Sequence, residues 1–122
     1  MIKARRLFKS FIYAFRGLGR VLREEQNLQI QFGTAILAVF LGFYFSIQRI
    51  EWIILILVIG VVFLMEIINS AVERVTDVLK PRINGYVKEI KDIMAAAVML
   101  ASLIAVILGL IIFLPHIFKL MK

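Results

Sequence analysis

Glu66, Asn69, Glu73 and Asp77 follow one another at intervals of three, four and four in the segment "MEIINSAVERVTD". On a helix of 3.6 residues per turn this spacing lays them along one stripe, roughly 16 Å long at a rise of 1.5 Å per residue. The segment is preceded by an unbroken apolar run, "WIILILVIGVVFLM". An ionised carboxylate facing lipid is costly, so acids placed at such a depth face protein, water or a bound cation. A purely structural reading has Asn69 and Ser70 bonding helices together while the acids pair with Arg74 or Lys80.

The chain has only eight acidic residues, and they are not scattered. A second pair, Glu24 and Glu25, stands immediately before the first long apolar stretch, and Lys91-Asp92 opens the last one. Carboxylates from two helices with a lysine beside them are what a magnesium-polyphosphate complex requires. Magnesium takes one or two carboxylates plus phosphate oxygens and keeps several waters, while lysine neutralises phosphate charge. Taken alone, Lys91 also reads as a snorkelling lysine and Asp92 as a helix cap.

These groups need helices to hold them. With 62% of its 122 residues hydrophobic, the chain reads as a membrane protein. Leu28 to Ile47, the stretch from Trp52 through the acidic stripe, and Ile93 to Leu114 each meet the roughly 20 residues a span needs. None has the form of a cleavable signal. The expected organisation is a single all-α domain. Residues 1–25 form an amphipathic surface helix, and 28–47, 52–79 and 92–117 form transmembrane helices.

In the first segment Phe8, Phe11, Ile12, Phe15, Leu18 and Leu22 recur at helical spacing against Arg5, Lys9, Arg16, Arg20 and Arg23. This is the pattern of a helix lying on anionic lipid, or more simply of a basic topology anchor. Residues 1–23 hold seven of the 15 basic residues and no acid, which places the arm in the cytoplasm together with the basic link "KPRINGYVKEIKD". The link at Gln48 to Glu51 then lies outside, with Trp52 as a headgroup anchor. Pro81 is expected to close the second span, Asn84-Gly85 to turn the chain before the third, and Pro115-His116 to end it.

Several chemistries are absent from the sequence. Without cysteine there are no disulfides, thiolate metal sites or cysteine nucleophiles. Gly17 and Gly19 make a G-x-G with neither a preceding strand nor a third glycine, and there is no G-x-x-x-x-G-K-[ST] loop. Single His116 gives no ligand signal. Nucleic acid is not an expected partner.

"EIINSAVERVTD", then "KD" opening the next apolar helix, after "YAFRGL" and a membrane-proximal "EEQN", resembles the bacterial integral-membrane diacylglycerol kinases and the related undecaprenol kinases. The likeness covers nearly the whole chain in order. It implies a three-span protomer with a surface helix, a helical bundle assembled as a homotrimer in the bacterial inner membrane with its active site cytoplasmic. The activity implied is transfer of the γ-phosphoryl group of magnesium-ATP to the hydroxyl of a lipid alcohol, undecaprenol or diacylglycerol.

By position, the resemblance makes Glu66 the general base, with Asn69, Ser70 and Asp77 supporting it. Glu25 and Glu73 become the carboxylates for Mg2+, and they also contact the nucleotide. Lys91, Asp92, Arg6, Tyr13 and Asn84 fall on further nucleotide contacts. It also implies a site between protomers, where Glu66 and Glu73 of one chain would work with Glu25 or Lys91 of another. Small residues at Gly33, Ala35 and Ala38, and at Ala95, Ala97 and Ala101, would let helices approach closely.

The chain departs from many relatives at Leu28 and Gln29, where an aromatic and a basic residue are common, and at Asn84, where histidine is frequent. These positions bear on lipid choice and adenine contacts. Two other functions compete with lipid kinase. A small oligomer with an acid-lined cation or proton path would need polar groups across the membrane. The first span is apolar from Phe32 to Ile47 apart from Thr34, Tyr44 and Ser46, and the acids of the stripe stay on one side. A membrane-remodelling peptide would explain the basic arm but leave the stripe without purpose.

Overall fold

The computed structural model describes residues 3–80 and 84–122, the side chain of Asn84 excepted. The described residues form four helices in chain order: α1 (Ala4–Glu24), α2 (Gln26–Phe45), α3 (Arg49–Leu79) and α4 (Asn84–Met121). The last three are long and apolar enough to cross a membrane. Helices are the natural outcome for such sequences, because each backbone N–H and C=O finds its partner within the segment and none is left facing hydrocarbon.

Local sequence sets each junction. Between α1 and α2 the chain bends at Glu25 alone, whose backbone is extended while its N–H still reaches Val21 O at 2.9 Å. Gln29 Nε2 donates to Leu22 O at 2.9 Å and Arg23 O at 3.1 Å, so a side chain from α2 satisfies carbonyls left open at the end of α1. α2 ends with Ser46 in the left-handed region, φ 51°, and the Ile47 N–H closes back onto Gly42 O at 3.1 Å. α3 starts with a capping box in which Gln48 and Glu51 satisfy each other's backbone N–H groups.

Two side-chain pairs show that α4 runs antiparallel to α3. Lys91 meets Asp77 near one end and His116 lies 3.5 Å from Glu51 near the other. α2 also runs antiparallel to α3, with Phe32 stacked on Phe63 and Phe43 tilted against Trp52. Ile47, Leu55, Ile112 and Phe113 form the buried apolar cluster at the end away from the acidic stripe. Large hydrophobics elsewhere on α2 and α4 are exposed, as lipid-facing or helix-facing residues are.

Some boundaries differ from the sequence reading. α2 stops at Phe45, because the left-handed Ser46 turns Ile47 out of the helix. α4 starts at Asn84, ahead of Lys91-Asp92, so Asn84-Gly85 belongs to its first turn and not to a preceding loop. α4 also runs through Pro115 to Met121. Proline removes one N–H, a loss that long apolar helices absorb by local adjustment. Trp52 packs over Gly42, where an added Cβ would lie 2.6 Å from its ring. The expectation placed on Pro81 falls outside the described residues.

Candidate functional site

α3 carries the acids from the interior to the surface. Glu66 is 5% exposed, Asn69 and Glu73 are half-buried, and Asp77 is exposed. The apolar neighbours on α3 bury that same face against α2 and α4, which is why a carboxylate in mid-sequence becomes an interior group. Ser70 and Thr76, at 1% and 2% exposure, are the other buried polar residues of the helix. Thr76 spends its hydroxyl on Val72 O and Glu73 O, both at 2.9 Å, and so stays a structural residue.

Glu66 accepts a hydrogen bond of 3.0 Å from Gln31 Nε2 on α2. The orientation of the amide follows from charge: its NH2 faces the carboxylate, and its own Oε1 is buried without a hydrogen-bond partner. Glu66 also lies within Coulombic range of Glu25 and Glu73, so three carboxylates share one region of the molecule. Asn69 Nδ2 donates to Glu73 Oε1 at 3.4 Å, the contact that a spacing of four residues on a helix allows.

Glu25 sits at the helix junction, where an acid would ordinarily cap the next helix, yet its side chain makes no cap hydrogen bond. It reaches to α3 and accepts from Ser70 Oγ at 3.0 Å. Arg74 donates to Ser70 Oγ and to Glu24, and its Nη1 lies 3.9 Å from Glu25. Lys91 Nζ meets Asp77 Oδ1 at 2.8 Å, joining α4 to the surface end of the stripe.

The fold thus gathers Glu25, Glu66, Asn69, Ser70, Glu73, Asp77 and Lys91 at one end of the helix bundle, all within one chain. Asp92 is exposed beyond Lys91, and Arg6 and Tyr13 stand on the exposed surface of α1. The Asn84 side chain lies outside the described residues. The structural pairing of the stripe with Arg74 or Lys80 is not what forms: Arg74 takes Glu24, and Asp77 takes Lys91.

Sequence reasoning passed over Gln31, and it named Glu24 and Arg74 without pairing them. Gln31 had a signal, since it is the last amide of α2 before the apolar run from Phe32 and a buried amide needs a partner. Arg74 was visible only as a possible neighbour of the stripe, because its true partner lies 50 residues earlier. An apolar groove lined by Phe32, Ala35, Ile36, Val39, Ile59 and Phe63 opens between α2 and α3, adjoining Gln31 and Glu66 along both helices.

A buried carboxylate held by an amide, two further carboxylates nearby and a lysine at the edge make a set able to accept a proton from a hydroxyl beside a polyphosphate. Comparison with known proteins agrees with that chemistry. A family model described as "Prokaryotic diacylglycerol kinase" matches residues 12–113. The chain is 38% identical to the undecaprenol kinase of Bacillus subtilis over 110 residues, covering 90% of this chain and 89% of the relative. It is 29% identical to the diacylglycerol kinase of Escherichia coli K12, covering 91% of each chain. Against the diacylglycerol kinase of Helicobacter pylori 26695 the identity is 32%, covering 82% of this chain and 77% of the relative.

Proposed function

The chain belongs to the prokaryotic diacylglycerol kinase family and is a lipid kinase, and from that premise we propose that it phosphorylates undecaprenol at the expense of ATP, with Glu66 as general base. The observation that carries the proposal is the Glu66 carboxylate, 5% exposed and oriented by Gln31 amid the groups a phosphoryl transfer needs. The hydroxyl proton of the lipid passes to Glu66 as its oxygen bonds the γ-phosphorus. The bond from that phosphorus to the β,γ-bridging oxygen breaks, and ADP leaves.

Glu25 and Glu73 are the residues that would hold Mg2+. Among the described residues no group of three acid or imidazole side chains converges as an all-protein metal cage. The donor set present, two carboxylates on facing elements, fits a cation that completes its shell with phosphate oxygens and water. When bound, the ion neutralises charge on the transferring phosphoryl group. Lys91 supports the phosphates from α4, with Asp77 holding its ammonium in place. Asn69 steadies Glu73, and Ser70 steadies Glu25.

Polyprenol as acceptor rests on the 38% identity to an undecaprenol kinase across most of both chains. The apolar groove beside Gln31 and Glu66 supports a lipid substrate whose hydroxyl stands at the carboxylate and whose first hydrocarbon segment lies in the groove. The basic arm supports an N-terminus on the cytoplasmic face of the bacterial plasma membrane, with α1 flat on its surface. A homotrimer accounts for the apolar faces of α2 and α4 and for Gly33, whose added Cβ would meet nothing within 4 Å. Arg6, Tyr13, Asn84 and Asp92 complete the proposed nucleotide contacts.

The test is a parallel assay of the purified protein in mixed micelles with γ-labelled ATP, Mg2+, and either undecaprenol or diacylglycerol. Labelled undecaprenyl phosphate in clear excess is the expected result. Preference for diacylglycerol would reassign the acceptor, and label in neither lipid would remove the kinase reading.

A further inference from the structure

Arg74 ties the end of α1 and the α1–α2 bend to α3. Its two terminal nitrogens divide between Ser70 on its own helix and Glu24, the last residue of α1, while Nη1 stays 3.9 Å from Glu25 at the bend. The consequence is a matter of hydrogen-bond capacity. Ser70 has one proton to give. Because the guanidinium donates to the Ser70 oxygen, that proton is directed away from Arg74, and it points to Glu25 Oε1 at 3.0 Å. Ser70 is 1% exposed, so water does not compete for its hydroxyl. Oε2 of Glu25 has no hydrogen bond among the described residues.

We infer that Arg74 is a positioning residue for the nucleotide. By fixing the Ser70 hydroxyl and the end of α1 through Glu24, it presents the Glu25 carboxylate in one orientation to the metal-bound phosphates. The inference rests on the reading that Glu25 helps hold the magnesium-nucleotide. Arg74 does not touch the reacting atoms, and it does not act chiefly by adding stability. The Arg74 and Glu24 side chains are 44% and 54% exposed, where an ion pair contributes little to folding. What the guanidinium supplies is planar, forked geometry, which an ammonium does not reproduce.

Equilibrium binding of MgATP to the full-length protein in detergent separates this role from others, and it remains measurable in inactive variants. Arg74→Ala is expected to weaken binding about tenfold, the scale of a hydrogen-bond network to a charged group. In a Glu25→Gln background the same substitution should matter within about twofold, since the carboxylate it positions is gone. Arg74→Lys, keeping the charge without the fork, should recover part of the loss. The thermal unfolding temperature of Arg74→Ala should stay at the wild-type value.

Additive effects in the double variant would show that Arg74 acts on the nucleotide by itself and would overturn the inference. So would unchanged binding in Arg74→Ala, or a loss of thermal stability alone. Wild-type binding by Glu25→Gln would instead defeat the reading of Glu25 on which the inference rests.

Discussion

Gln31 Nε2 donates to Glu66 Oε1 across 3.0 Å, joining two spans at residues 35 positions apart in the chain. A buried carboxylate without this bond would retain its charge at greater cost and without a fixed orientation. Replacing Gln31 by Leu removes the donor and leaves an apolar side chain of comparable volume. Turnover is expected to fall about tenfold, with MgATP binding unchanged, because the amide serves the base and not the nucleotide. Steady-state kinetics together with nucleotide binding checks both halves.

Lys91 and Asp77 form an exposed pair, and their substitutions should have unlike consequences. Lys91→Met removes a cation from the proposed phosphate site, so KM for MgATP should rise about tenfold or more. Asp77→Asn leaves that cation present but no longer held by charge. Its effect on thermal stability should be small, as for other exposed pairs. Parallel measurements of KM and thermal inactivation in one detergent distinguish the two.

At the far end of the bundle, Gly42 is buried under Trp52. A Cβ there would stand 2.6 and 2.9 Å from the indole and 3.2 Å from Ile47 Cδ1. Since the obstacle is a rigid ring, Gly42→Ala should destabilise the protein by about 1–3 kcal/mol through overpacking. MgATP affinity should remain that of the wild type, because the strain lies away from the acidic stripe. Thermal unfolding and nucleotide binding of the same preparation test this.

Within one chain, Glu25 already reaches Ser70 and Lys91 already reaches Asp77. Arg6, by contrast, lies roughly 28 Å along α1 from Glu25 at 1.5 Å per residue, on an exposed helix. If α1 contributes to a nucleotide site in an oligomer, Arg6 serves a neighbouring chain. Mixed assemblies of Glu66→Gln with Arg6→Ala should therefore recover activity, and mixtures of Glu66→Gln with Glu25→Gln should not. Tag pull-down to confirm mixing, followed by a lipid phosphorylation assay, decides between the two arrangements.

The apolar runs made the three long helices legible, because hydrocarbon thickness and backbone satisfaction leave a chain of this composition few alternatives. The stripe from Glu66 to Asp77 was legible for a similar reason, being a matter of helical period alone. Its partners were less so. Gln31, Glu24 and Lys91 meet α3 through antiparallel packing, and spacing within one helix says nothing about which residues of another come opposite. Helix ends were blurred where the sequence carries mixed signals. Asn84-Gly85 is turn chemistry that a helix also accepts in its first turn, and Pro115 is a breaker that α4 runs through. Ser46 in the left-handed region has no signature in composition at all.

Glu66 is proposed to remove the proton from the lipid hydroxyl, and Glu66→Gln tests that role. Glutamine keeps the size of the side chain and its capacity to hydrogen-bond with Gln31, and it cannot act as the base. With γ-labelled ATP, Mg2+ and undecaprenol, kcat should fall about 10²-fold or more while MgATP binding stays at the wild-type level. Full turnover by Glu66→Gln, in protein that binds MgATP normally, would exclude Glu66 as the base.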